Sequence, residues 1–372
     1  MSFRGKNIYI RFAIVVLLFF SSCVSTRQDI DTEKGYQRLI KKNIGGVNQS
    51  LLIRGHNRQN PFLLVLHGGP GYPFFSEISE EFPYLQLEYY FNVVYWEQRG
   101  TGKSFSARIK KQTMNTQQFV SDIDEIVEFI KVSYNHEKIY LWGHSWGTNI
   151  GMIYASEHPE SLYAYFSTGQ SVNPLQNEQN AYATMMEEAL IQKDEEMLED
   201  LRAIDTTNYQ LRDALKVRKW MYKYGGIEHK IRFKQPYAAR SELKRFLRTP
   251  EYSLRDVFNI ARKPYFSGDN LWKDLQEIDL VRDVPKVNIP VYFLLGRYDL
   301  IVSSTLAAEY FEKLEAPKGK TMWWFENSAH RPFKEEPIKF LDKVKIIVEE
   351  TYPQFEQYKR TAGKSAFKKN EP

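Results

Sequence analysis

Three short stretches hold residues with chemistry to offer. The first is Gly143-His144-Ser145-Trp146-Gly147, a serine with a glycine two places to either side, at the end of the apolar run KIYLW and just before a helical stretch. Glycines at those places allow a turn too sharp for larger side chains, and such a turn lifts the serine hydroxyl clear of the strand end. The second is GRYDLIVSS, in which Asp299 follows the run VYFLLG (291–296). The third is NSAHRPF, in which His330 follows KTMWWFEN (320–327). A serine hydroxyl becomes a good nucleophile when a base takes its proton, and a carboxylate holds an imidazole in the tautomer that can do so. Ser145, Asp299 and His330 therefore form a candidate set for acyl transfer through an acyl-enzyme, as nucleophile, orienting acid and base. Taken singly each is weak, since an aspartate after a strand is commonly a turn residue and a lone histidine commonly structural. A fourth stretch, His67-Gly68-Gly69-Pro70-Gly71, ends a further apolar run, where glycines let backbone N–H groups approach a developing oxyanion.

Strand ends in common imply a sheet. QSLLIRG (49–55) and PFLLVLHGGPG (61–71) read as a pair of strands across the turn-forming loop HNRQN, and NVVYWEQRG holds a further short strand. Phe119, Ile123, Ile126, Val127 and Ile130 recur at helical spacing behind a capping Asn115 or Thr116, which predicts an amphipathic helix over 116–132. TNIGMIYASEH then reads as a helix and LYAYFSTG as a strand. This alternation indicates an α/β fold with a mainly parallel sheet covered by helices. It stops near Ser171. As far as Pro285 the chain turns to long charged residues at helical spacing, and VYFLLG, KTMWWFEN and IKFLDKVKIIVEETY then resume the earlier pattern. The expected organisation is a leader over 1–22, an anchor and linker over 23–44, a core in two parts (45–170 and 286–358), a helical insertion over 171–285, and a polar, basic, disordered tail over 359–372.

Charge excludes one class of function. The 372 residues carry 51 basic and 46 acidic side chains, a formal net charge of +5. Three of the basic residues, Arg4, Lys6 and Arg11, lie in the leader, and five lie in the tail against Glu371 alone. The body is nearly neutral and lacks the electrostatic footprint of a nucleic-acid-binding protein. Gly100-Thr101-Gly102-Lys103-Ser104 ends like a phosphate-binding loop, but that motif needs a glycine five places before Gly102, where Glu97 would repel phosphate. It reads as a glycine-rich turn near the rim of the site. No Cys/His cluster and no HExxH points to a metal, and no cofactor is implied.

Arg4, Lys6 and Arg11, then FAIVVLLFF, then Ser21-Ser22-Cys23 follow the charged, apolar and small-residue order of an export signal. The apolar run is shorter than the roughly 20 residues that span a bilayer. Cys23 is the only cysteine, so it forms no internal disulfide. FFSSC resembles the lipobox of bacterial lipoproteins, with Phe20 where that motif prefers leucine. The resemblance implies cleavage before Cys23, its lipidation, and a protein anchored to a bacterial membrane outside the cytoplasm. An ordinary cleaved signal with an incidental cysteine is the alternative.

HGGPG, WEQRGTGKS, GHSWGT, GRYD and SAH together resemble the prolyl aminopeptidases (proline iminopeptidases), serine peptidases of the α/β-hydrolase superfamily, over about 45–170 and 285–350. The chain order Ser, Asp, His is the one that superfamily uses. The resemblance implies that Ser145 is the nucleophile, Asp299 the triad acid and His330 the base. It further implies oxyanion donors at the backbone N–H groups of Gly69 and Trp146, and a helical cap over the site at 171–285. Two positions depart: Glu97 stands where relatives have the aspartate of WDQRG, and Thr148 where many have glycine or serine. The acidic residues that hold the substrate amine in that family have no evident counterpart, since KWMYKYGGIEH (219–229) does not look like their Trp-Glu-Gly segment. Burying an ammonium unpaired costs several kcal/mol, so a cap carboxylate is expected. Glu187 and Glu188 are nominated. The expected function is an aminopeptidase that releases an N-terminal residue, proline being one candidate, from short peptides. A serine nucleophile disfavours the dehalogenase and epoxide hydrolase branches. An esterase or amidase on small non-peptide acyl compounds, and a non-catalytic surface binding protein, are the alternatives.

Overall fold

The computed structural model describes residues 29–80, 85–231 and 239–354. The expected leader, Cys23 and the tail over 359–372 lie outside those residues. Eight strands form one sheet: β1 (Tyr36–Ile44), β2 (Val47–Gly55), β3 (Phe62–Leu66), β4 (Asn92–Glu97), β5 (Ile139–His144), β6 (Leu162–Thr168), β7 (Val291–Gly296) and β8 (Lys320–Phe325). Their spatial order is β1-β2-β4-β3-β5-β6-β7-β8. β2 runs antiparallel to both β1 and β4, and every other pair is parallel. The expected α/β class is the one observed.

Two local expectations differ. β2 and β3 are not neighbours, because β4 lies between them. Every residue of β3 (FLLVL) is buried, and a strand apolar on both faces belongs inside a helix-covered sheet, not in a two-stranded hairpin. The stretch expected as linker holds β1, joined to β2 through Gly45 and Gly46 at φ 53° and 74°. Its charged sequence YQRLIKKNI suits an exposed edge, where lysine and arginine discourage further pairing.

The helices are α1 (Phe75–Glu80), α2 (Thr116–Tyr134), α3 (Trp146–Glu157), α4 (Pro174–Gln192), α5 (Glu195–Arg202), α6 (Leu211–Lys223), α7 (Ala239–Arg248), α8 (Leu254–Arg262), α9 (Phe266–Gln276), α10 (Leu280–Asp283), α11 (Ser304–Lys313), α12 (Pro332–Glu335) and α13 (Pro337–Thr351). The helix expected over 116–132 is α2, capped by the Asn115 side chain accepting from Gln118 N at 2.9 Å. Its Ile123, Ile126 and Ile130 pack with Leu64 and Leu66 on one face of the sheet. Phe340, Leu341 and Val344 of α13 cover the other face against Leu63 and Val65. A separate cluster of Met185, Leu198, Val217 and Trp220 holds α4 to α6 together. Leu271, Leu275, Leu280 and Val284 pack in the main core, so contact with it begins before residue 286. Among the described residues no helix is long and apolar enough to cross a membrane.

Candidate active site

Ser145 stands between β5 and α3 with φ 55° and ψ −124°, a region that costs a non-glycine residue roughly 1–3 kcal/mol. The glycines of the motif explain how the turn is tolerated. A Cβ on Gly147 would strike the carbonyl of Leu66, and one on Gly143 would lie 2.9 Å from the Gly147 oxygen. Ser145 N–H donates to the Thr168 carbonyl at 3.1 Å, which ties the turn to β6. Thr148 locks it from the helix side, donating to the Ser145 carbonyl at 2.6 Å and accepting from Ser171 N at 2.9 Å. The threonine that departs from the family pattern thus joins the serine turn to the start of the insertion.

Asp299 and His330 meet as their places after β7 and β8 predict. His330 Nδ1 lies 2.8 Å from Asp299 Oδ2, both side chains being nearly or wholly buried. Asp299 Oδ1 accepts from Ile301 N at 2.9 Å and Val302 N at 3.1 Å, which fixes the carboxylate. Gly169 leaves room for the imidazole, since a Cβ there would come within 2.8 Å of His330 Cε1. His144, its ring centroid 4.8 Å from that of His330, faces Thr168 through Nδ1. Burial first, and His330 next, push its pKa well down, so it stays neutral beside the His330 ring.

Gly69 and Trp146 flank Ser145 on the wall of one cavity. Trp146 N–H opens α3, and neither it nor Gly69 N–H has a hydrogen-bond partner among the described residues. Gln98 of WEQRG holds both stretches in place, accepting from Trp146 Nε1 at 2.9 Å and donating from Nε2 to the His67 carbonyl at 3.0 Å. His67 Nε2 accepts from Gln98 N at 3.2 Å while Nδ1 lies 2.7 Å from the Gly68 carbonyl. That pattern needs a neutral ring, and burial lowers the His67 pKa to about 4.

The cavity measures about 90 Å³. Leu211, Trp272, Leu275, Ile301 and Val302 give it an apolar wall, and Glu178 and Arg218 are its two charged residues. They are paired with each other, and Glu178 also accepts from Tyr209 Oη at 3.3 Å. The nominated Glu187 and Glu188 are not on this wall. Glu187 is exposed and Glu188 accepts from Gln192 Nε2 at 3.0 Å. α4 turns Glu178, Ala181, Met185 and Ala189 inward, and Glu187 falls roughly 200° round the helix from Met185. That stripe was present in the sequence, so Glu178 could have been found by its phase.

The turn at Gly102 holds a carboxylate, not a phosphate. Glu97 Oε2 accepts from Lys103 N at 2.5 Å, and Lys103 Nζ reaches Asp256 at 2.7 Å. Among the described residues no group of three or more His, Cys, Asp or Glu could hold a metal.

The model of the α/β-hydrolase fold matches residues 61–337. The chain belongs to that family and is a hydrolase of it. It is similar to the probable aminopeptidase YbaC of Bacillus subtilis, 32% identical over 317 residues that cover 84% of this chain and 96% of the relative. The proline iminopeptidase of Saccharolobus solfataricus is 26% identical over 330 residues, 87% of this chain and 94% of the relative. Among solved structures, a proline iminopeptidase-related protein of Thermus thermophilus superposes with a TM-score of 0.56 at 18% identity, covering 86% of this chain and 99% of its own. At that identity the likeness speaks for the fold alone.

Proposed function

We propose that the protein is a serine aminopeptidase that releases a small N-terminal residue from short peptides. The observation that carries this reading is the small cavity at Ser145 with the carboxylate of Glu178 on its wall. At about 90 Å³ it is well below the roughly 300 Å³ at which drug-sized sites begin, which suits a proline or alanine side chain. The names of the relatives point the same way. His330 takes the Ser145 proton as the oxygen attacks the scissile carbonyl, and Asp299 stabilises the imidazolium. The Gly69 and Trp146 N–H groups receive the oxyanion. His330 then protonates the departing amine, and a water deprotonated by His330 cleaves the ester on Ser145. Glu178 faces the substrate ammonium, with Arg218 and Tyr209 holding it in place.

The test compares a prolyl or alanyl arylamide with its N-acetylated counterpart. Acetylation removes the charge, and kcat/KM should fall by at least about 10²-fold, equivalent to roughly 2.7 kcal/mol. One observation favours a second reading: because Arg218 neutralises Glu178, the wall carries no net charge, as an esterase or amidase for uncharged acyl groups would have it. Equal rates on the two arylamides would select that reading. We further propose that Cys23 carries the lipid of an exported lipoprotein. Wild type should then fractionate with membranes and Cys23→Ala should lose its acyl label.

A further inference from the structure

The hairpin of α7 and α8 has two sides of opposite character. Its inner side is held. Phe246, Val257 and Ile260 pack together and against Tyr252, which stacks on Phe75 and bonds to Glu97. Lys103 of the core pairs with Asp256. Its outer side is open. Leu243 and Leu247, one turn apart on α7, are 46% and 48% exposed, while Leu254 and Phe258, one turn apart on α8, are 67% and 62% exposed. Single exposed apolar residues are ordinary, but two such pairs on adjoining helices make a patch.

Helical phase puts the pairs together. Each lies roughly 100° round its helix from the buried contact made by Phe246 or by Val257 and Ile260. The short link between Arg248 and Leu254 turns the chain back, so the two pairs come to one side of the hairpin. Beside them Lys244, Arg248, Arg255, Arg262 and Lys263 are exposed and enter no ion pair among the described residues. Of the hairpin's acids, Glu242 and Asp256 are already engaged by Arg245 and Lys103, and Glu251 in the link is half-buried. The surface left over is therefore a projecting apolar strip with a cationic flank.

We propose that this face docks on a bilayer carrying anionic phospholipid, the four apolar side chains entering the acyl boundary and the five cations meeting the phosphates. Protruding leucine and phenylalanine fit a deformable phase, and cations flanking an apolar strip are the pattern of helices lying in a membrane interface. The proposal goes beyond the hydrolase reading and holds whatever Ser145 does.

Because Cys23 is the only cysteine, the full chain with Cys23→Ala and Phe258→Cys carries one thiol for an environment-sensitive fluorophore. A second chain with Cys23→Ala and Val132→Cys labels an exposed apolar position on α2, away from the hairpin. Vesicles of phosphatidylcholine with phosphatidylglycerol should shift the probe at 258 to the blue and allow its quenching by spin-labelled acyl chains, leaving the probe at 132 unmoved. Each cation near an anionic surface is worth roughly fivefold in affinity. Arg255→Gln, Arg262→Gln and Lys263→Gln together should therefore weaken the titration by on the order of 10²-fold at low salt. An unresponsive probe at 258, or a response that pure phosphatidylcholine reproduces and the three substitutions leave unchanged, overturns the proposal. A blue shift that grows with protein concentration without vesicles overturns it too, assigning the face to a second copy of the chain.

Discussion

Asp299 is committed before any substrate arrives: two backbone N–H groups hold one carboxylate oxygen, so the other is left to orient His330. Ser145→Ala should accordingly abolish fluorophosphonate labelling and turnover in a folded protein, and His330→Ala should do nearly as much. Substantial activity in either folded variant would sink the triad. Glu178 offers a finer test. Glu178→Gln keeps the shape of the wall but removes the charge proposed to face the ammonium, so free aminoacyl arylamides should lose on the order of tenfold or more in kcat/KM. Their N-acetylated forms should lose little, and an equal loss on both would show that Glu178 only shapes the wall. These residues were unequally legible in the sequence. Ser145, Asp299 and His330 announce themselves because a side chain just past a strand end has few places to point. Glu178 sits on a helix with many acids, where only the phase set by Ala181, Met185 and Ala189 separates an inward carboxylate from a solvated one.

Positioning in this protein is done by pieces of backbone that the motifs do not name. The segment after α6 crosses beneath both triad loops: the Gly226 carbonyl accepts from Leu300 N and the Ile227 carbonyl from His330 N, each at 3.1 Å. Glu335 ties the same strap to the histidine loop, accepting from Ala329 N at 2.7 Å and Lys230 N at 3.2 Å. Gly226 has an ordinary φ, but a Cβ there would lie 2.6 Å from Leu300 Cβ. Gly226→Ala should therefore push Leu300, and with it Asp299, lowering kcat by about tenfold with KM little changed, since small misplacements of reacting groups are expensive. Leu300→Ala in the same chain should restore part of the loss; wild-type kinetics for Gly226→Ala would remove the strap from the account. Nothing in KWMYKYGGIEH pointed to this contact, because hydrogen bonds from backbone to backbone leave no signature in side-chain pattern. β1 was missed for a related reason: an edge strand half open to solvent has too few apolar residues to show its alternation. The helix over Thr116–Tyr134, buried along one face and capped by its own asparagine, showed itself fully.

At the scale of the whole molecule, one of the places where the core and the helical segment between β6 and β7 meet is Glu97. This carboxylate is wholly buried under the turn at Gly102, accepting from Tyr252 Oη in the hairpin link and from Lys103 N at 2.5 Å. Its position was legible as the residue that rules out a phosphate loop, but its partner was not, being 155 residues away along the chain. Burial raises the Glu97 pKa to about 7 from an ordinary 4.5, outweighing the hydrogen bonds that favour the charged form. A folded-state pKa above the unfolded one means that the folded protein holds this proton more tightly. The stabilisation is complete below about pH 4.5 and is lost as pH rises towards about 7. A shift of that size is worth roughly 3 kcal/mol at most. Glu97→Gln keeps the volume and an oxygen able to accept from Tyr252 Oη, yet it cannot ionise. In urea denaturation between about pH 5 and about pH 8, the variant should therefore gain on wild type as pH rises, by on the order of 2–3 kcal/mol across the range. A difference between the two proteins that stays constant over that range would mean that Glu97 titrates as an ordinary carboxylate, and that the junction between the core and the insertion is not sensitive to pH through it.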